Sequence, residues 1–397
     1  MRTVMFLFLL MLTLVHPVGA QTDIDSQALT ELKAAAQRAH SDAVIILLDG
    51  DLVAEWYFGE DRRPIEVMSV LKSIVGVGIG RLITIGKLES LDTPVHTFYP
   101  EWRQGRKQDI TVRHLLNHTS GLQDIPNAGA EIYPSPNAVQ LALAAELTED
   151  PGTVFRYNNK ATNLLAGIIE RAYGQRMDQF FVKELFRAME IDQYKWYYDQ
   201  SGNPHAMAGL ELHARDLAKF GSLVLDNGTW NGEQLVAADY MRELTAQSQP
   251  HYPAYGLLWW RLPEETRYVL DTARMDELRA AGVSQENLRI LQPLAGKVFT
   301  ARRERDAALE GLLGTEWRTI VRQRYLGNEV DPVFRREYGE FVACYADGYL
   351  GQTLMVVPEY RLVAVRQVRG GPDYNRETDG FPAFKELVMR LVAVTAQ

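Results

Sequence analysis

Strand patterns stand at the two ends of this chain with a long helical pattern between them, and that placement constrains the fold most. Residues 42–48 and 52–58 are two strand-like runs separated by Asp49-Gly50, a dipeptide that tolerates the positive φ angles of a tight hairpin turn. Residues 341–345, 353–357 and 362–366 read as three further antiparallel strands. Between the two blocks the period changes. Ile74, Val77, Gly78, Leu82 and Ile85 share one face of a long buried helix. A proline-punctuated loop covers 88–102, and 111–190 is mostly helical, most clearly over 162–170. Another helix over 213–225 is stopped by Asp226-Asn227-Gly228. Amphipathic helices at 28–39 and 381–392 complete the two ends. The expected fold is mixed α/β (α+β): an antiparallel sheet built from both chain ends, flanked by helices, with a mainly helical subdomain over about 90–225.

Residues 263–336 do not follow this plan. They carry little strand pattern, a charged cluster at 302–306, and helical stretches at 275–278 and 307–313. They read as an insertion, with a lid or a dimer contact as its candidate roles.

The first twenty residues read as a signal peptide rather than as part of the fold. Arg2 is followed by an apolar run over 4–15, then His16-Pro17, then the small-residue cleavage pattern Val18-Gly19-Ala20. The run is shorter than the roughly 20 residues a membrane span needs. No later stretch reads as a membrane span. The expectation is a mature domain over 21–397, exported to the periplasm or secreted. Sequencing of exported material should then begin at Gln21, and a mature chain that retains Arg2 would sink that expectation. Cys344 is the single cysteine, so no internal disulfide forms. A net charge of -9, from 42 basic and 51 acidic residues, lacks the excess of basic groups that a nucleic-acid partner requires.

The chemistry centres on Met68-Ser69-Val70-Leu71-Lys72. A serine and a lysine three residues apart lie on one helix face. Burial disfavours the ammonium form of a lysine, which can then accept the serine proton. A serine at a helix N-terminus also meets a positive potential.

Later segments occur in a telling order. Gly86-Lys87-Leu88-Glu89-Ser90-Leu91-Asp92, then 111–122 with His114, His118, Thr119, Ser120 and Gly121, then Tyr157-Asn158-Asn159, follow Ser69. With these, the sequence resembles the class C beta-lactamase-like family of penicillin-recognising serine hydrolases. That family includes D-alanyl-D-alanine carboxypeptidases, esterases, amidases and 6-aminohexanoate-dimer hydrolases. The resemblance covers roughly 40–262 and 337–390. It implies a beta-lactamase/transpeptidase-like fold, Ser69 as nucleophile, and Lys72 and Tyr157 as the groups that move its proton. It also implies that Asn159 holds the lysine and grips the substrate. A tyrosine beside a lysine is expected to be partly phenolate.

The family's third motif, Lys-Thr-Gly, is where the sequence departs. Counting back from Gly351 places it near Ala343-Cys344-Tyr345, with Ala346-Asp347-Gly348 as the rival; Ala346 and Gly348 are the supporting residues chosen. Neither triplet has a lysine to meet a substrate carboxylate, so Arg366, Arg369 or an insertion arginine would have to replace it.

His114 and His118 have zinc-like spacing but no accompanying glutamate, and capping or core roles are expected for them. Cys344 reads as a buried thiol. The expected activity is hydrolysis of a small-molecule ester or small amide without metal or organic cofactor. Beta-lactamase or D-alanyl-D-alanine carboxypeptidase activity is the alternative, and a non-catalytic binding protein of the same fold the third. The sequence leaves the oligomeric state open.

Overall fold

The computed structural model describes residues 23–59, 62–125, 127–325, 331–372 and 374–392. The leader expected over 1–20 lies outside the described residues. Helix α1 (Ser26–Arg38) begins where the Asp25 carboxylate accepts from the amides of Gln27 and Ala28. Strands β1 (Ala43–Leu48) and β2 (Asp51–Tyr57) form the hairpin around Asp49-Gly50. The buried helix α2 (Val70–Thr84) follows, then α3 (Asn159–Tyr173) and α4 (Ala214–Leu225). Strand β3 (Trp260–Pro263) returns to the sheet. The insertion contributes β4 (Thr266–Val269), helix α5 (Arg302–Leu313) and β5 (Arg335–Tyr338). The chain ends with β6 (Phe341–Asp347), β7 (Thr353–Val357), β8 (Leu362–Gln367) and α6 (Phe384–Arg390).

Six strands form one antiparallel sheet in the order β2-β1-β8-β7-β6-β3. The two chain ends therefore meet at its centre, where Ile45 lies opposite Val365. The ends are also tied directly, the Asp25 amide donating to the Leu391 carbonyl at 3.0 Å. Alternation along the strands divides the core in two. Val44, Ile46, Met355 and Ala364 face α1 and α6, while Ile45, Val356, Val363 and Val365 face the helical side.

Helix α2 is apolar almost all round because it runs through the larger core. Its glycines let neighbours approach: a Cβ on Gly80 would stand 2.3 Å from the Tyr240 ring. Gly121 serves the 111–122 segment in the same way. It adopts φ +72°, and a Cβ there would lie 2.2 Å from the Glu149 carbonyl oxygen. The middle of the chain is not wholly helical. Ile65–Glu66, Leu210–Leu212 and Tyr194–Trp196 form a small antiparallel sheet beside the nucleophile loop.

The segment 263–336 holds strands that its sequence pattern conceals. β4 and β5 pair antiparallel, with Arg336 opposite Tyr268, and extend the neighbouring strands β3 and β6 as a ribbon beyond the main sheet. These strands are four residues long and rich in arginine and tyrosine, so a half-exposed ribbon shows no clear apolar alternation. The segment also has its own apolar cluster, which includes Leu270, Leu278, Leu291, Tyr325 and Phe334.

Candidate active site

Ser69 is the N-cap of α2, and its side chain makes no capping hydrogen bond, so Oγ is available for chemistry. The preceding Met68 has φ +50°, a strained conformation for a side chain of its size. That turn lifts Ser69 into a cavity of about 1330 Å³ whose lining also includes Tyr157, Asn159 and Gly348. Gly348 belongs there because of crowding: a Cβ on it would stand 2.9 Å from Met68 Cβ and from the Val67 carbonyl oxygen.

Lys72 lies one turn into α2 and is 2% exposed. Its Nζ donates to Ser69 Oγ at 3.0 Å and to the Met207 carbonyl at 2.7 Å. Burial pulls its pKa down to about 7, against a smaller opposing pull from the Asp124 carboxylate. Near neutral pH the amine is therefore substantially uncharged and in contact with the hydroxyl it would deprotonate. The N-terminus of α2 lies beside Ser69 and favours negative charge on Oγ.

Tyr157 faces the same pair. Lys72 Nζ is 5.0 Å from the centre of its ring, and the Ser69 hydroxyl is near enough to draw its pKa down. Burial, together with the carboxylates of Asp347 and Asp124, holds the phenol well above its ordinary range. That direction opposes the partial phenolate expected from sequence: Tyr157 keeps its proton here, and Lys72 is the better base. Tyr157, Trp260 and Tyr345 stack in a row, with centroid separations of 6.0 and 6.4 Å, and give the cavity an aromatic wall.

Of the supporting residues, Asn159 lines the cavity, but the hydrogen bonds of Lys72 go to Ser69 and Met207 rather than to it. Ala346 does not line the cavity. Strand alternation turns its methyl group into the core with Cys344, while Tyr345, Asp347 and Gly348 reach the cavity. The triplet beside Ser69 is therefore 346–348, not 343–345. Burial pushes the Cys344 thiol up to about 12, which leaves it inert.

Arg366 cannot meet a substrate. Its guanidinium is buried against the Ala39, Gly351 and Asp379 carbonyls and Ser41 Oγ. Arg369 is paired with Asp42. Insertion arginines do reach the cavity: Arg302, Arg305 and Arg336 line it. His114 Nδ1 accepts from the Thr111 amide in a capping box, and His118 Nδ1 accepts from the Asn158 amide.

Residues 26–381 match the family model described as Beta-lactamase. The chain belongs to the beta-lactamase family. It is 26% identical over 238 residues to the 6-aminohexanoate-dimer hydrolase of Paenarthrobacter ureafaciens, a match covering 55% of this chain and 60% of that protein. The esterase EstB of Burkholderia gladioli is 35% identical over 127 residues, covering 27% of this chain and 32% of the esterase. The crystal structure of the D-alanine carboxypeptidase AmpC from Burkholderia cenocepacia superposes with a TM-score of 0.55 at 15% identity, over 92% of this chain and 97% of that one. At that identity the likeness shows the beta-lactamase/transpeptidase fold.

Three residues of this beta-lactamase-family chain join the site without a motif to announce them. The Met207 carbonyl grips Lys72, and Asn163 on α3 holds that segment, its Oδ1 accepting from the amides of Ala206 and Met207. Asp124 stands near the start of α3, and burial lifts its carboxyl to about 6. An asparagine inside the apolar stripe of α3 was the one available signal.

Proposed function

We propose that the protein is a serine hydrolase that cleaves a carboxylic ester or a small amide through an acyl-enzyme on Ser69. The observation that carries this reading is the 3.0 Å contact between Ser69 Oγ and a buried Lys72 whose pKa sits at about 7. Uncharged Lys72 takes the hydroxyl proton as Oγ attacks the substrate carbonyl. The Ser69 amide and a backbone amide at the end of β6 are the donors for the resulting oxyanion. Tyr157, protonated and lining the same cavity as Ser69, passes a proton to the leaving group, with Lys72 restoring it. Water then attacks the acyl carbonyl, with Lys72 again as base, and releases the acid. The relatives named for ester and amide hydrolysis support the substrate class.

Beta-lactam turnover is disfavoured by the third motif. A beta-lactam carries a carboxylate next to its reactive ring. At 346–348 the chain offers a buried methyl group, an aspartate paired with Lys385 at 2.8 Å, and a glycine. A charge-assisted hydrogen bond is worth about 1.5–3 kcal/mol, so its loss lowers kcat/KM roughly ten- to a hundredfold for such substrates. Measured kcat/KM should therefore favour p-nitrophenyl acetate and butyrate over nitrocefin, each corrected for its uncatalysed rate. Nitrocefin turnover at about 10⁴ M⁻¹s⁻¹ or above, in the range of ordinary good enzymes, would overturn the assignment.

A further inference from the structure

We propose that the insertion builds an anion subsite in the cleft, with Arg302 and Arg336 as its cationic groups, and that the substrate carries a carboxylate remote from its scissile carbonyl. The inference rests on the hydrolase reading for the word substrate, and on the insertion's own geometry for the subsite.

Charge in the cavity is unevenly placed. Its lining includes Arg302, Arg305, Arg336 and Arg376 against the carboxylates of Glu66 and Asp347, and Lys385 already balances Asp347. Three of these four arginines come from the insertion. There, Asp306 and Asp331 are shared among the guanidiniums of Arg302, Arg305, Arg318 and Arg336. Arg305 is 5% exposed and pairs with both acids. Arg336 Nε lies 3.7 Å from Asp331, and Arg302 and Arg318 approach Asp306 only at 3.8 and 3.5 Å. Arg305 is thus a brace locked between two acids, while Arg302 stands at the cavity wall with Asp306 at 3.8 Å.

The position of Arg302 points the same way independently. It opens the twelve-residue helix α5, where the backbone amides already present positive potential and an acidic residue would be favoured. The chain places Arg302 and Arg303 in its first two positions, ahead of Glu304. The Arg302 side chain is 76% exposed, so packing does not require it. An exposed guanidinium that lines the cavity and meets Asp306 at 3.8 Å is placed to contact a ligand of opposite sign. Arg336 is held in a fixed orientation at the same wall. Its Nη1 donates to the Tyr252 hydroxyl at 2.9 Å, and its guanidinium lies over the Tyr252 and Tyr268 rings.

The cavity has room for an extended substrate. At about 1330 Å³ the cavity exceeds the roughly 300–1000 Å³ of common small-molecule sites. Ser69 and the insertion arginines line one cavity, so a substrate that spans it can present its carbonyl to one and its carboxylate to the others.

The test compares p-nitrophenyl hydrogen adipate with p-nitrophenyl methyl adipate, and the butyrate ester of 4-hydroxyphenylacetate with that of its methyl ester. The first pair places the charge on the acyl side and the second on the leaving group. At least one anionic ester should have a kcat/KM about ten- to a hundredfold above its neutral partner. That ratio should fall at least tenfold in Arg302→Ala and recover in part in Arg302→Lys. A ratio near one for both pairs, or a ratio unchanged in Arg302→Ala, overturns the proposal. Calorimetric titration of the full chain with adipate separates this result from failure of the hydrolase reading. Adipate binding that weakens at least tenfold in Arg302→Ala supports the subsite even in a chain that turns over no ester. Equal or absent adipate binding in the two proteins, together with no ester preference, removes it.

Discussion

Ser69→Ala is expected to abolish labelling by a fluorophosphonate probe and to lower kcat/KM on p-nitrophenyl butyrate by at least about a thousandfold, with the fold intact. The structure explains both halves of that result. Ser69 Oγ is the atom that Lys72 and Tyr157 converge on. The Cys344 thiol cannot replace it, being buried in the core with its pKa raised to about 12. The fold does not depend on the hydroxyl, because Ser69 makes no side-chain cap to α2. An alanine therefore removes the nucleophile without leaving an uncapped amide that was capped before. Thermal melting should shift by only a few degrees. Unchanged labelling in the variant would rule out Ser69 as the nucleophile, and a collapsed melt would mean that its role is structural.

Lys72 should set the pH dependence. Only its uncharged form can take the serine proton, and burial places the change at about 7. The value of kcat/KM is expected to rise about tenfold per pH unit below 7 and to level off above it. His118 does not supply this limb, since burial and the neighbouring Lys72 hold its pKa well below the ordinary histidine value. Lys72→Arg, whose guanidinium stays charged, should lose about 10²–10⁴-fold in rate. A flat profile between pH 5 and 8, or an arginine variant with near wild-type rates, would sink the assignment.

Stability gives a second readout with the opposite sign of benefit. The unfolded chain holds the Lys72 proton up to about pH 10.5, whereas the folded chain gives it up near 7. Between those values the unfolded state binds more protons, so this group's contribution to stability rises with pH and is least favourable below 7. Lys72→Met should therefore raise the melting temperature near pH 7 and lose that advantage towards pH 10.5. The gain is of the order of a few kcal/mol, reduced by the lost hydrogen bond to Met207. An inactive variant more stable than its parent is the signature of a buried base kept for chemistry.

Features of this protein that depend on local pattern were legible in the amino-acid order. The hairpin at Asp49-Gly50 and the three C-terminal strands are written in alternation and turn residues, which made five of the six sheet strands readable. Their closure into one sheet followed from where they stand in the chain. Ser69 and Lys72 share a helix face by spacing alone, and the apolar run of α2 marked the helix as buried.

Features that depend on neighbours distant in sequence emerged only in three dimensions. Ala346 and Gly348 are two residues apart, yet core packing claims one and the crowding against Met68 gives the other to the cavity. Tyr157 keeps its proton because burial, reinforced by two carboxylates, outweighs the opposing pull of the Ser69 hydroxyl. Lys72 is oriented by the Met207 carbonyl, 135 residues away in sequence and marked by no motif. The short, charged strands of the insertion gave no periodic signal. Only their extension of β3 and β6 carries Arg302, Arg305 and Arg336 to the cleft. Electrostatics in a cavity sums over every wall, and a linear reading sees one wall at a time.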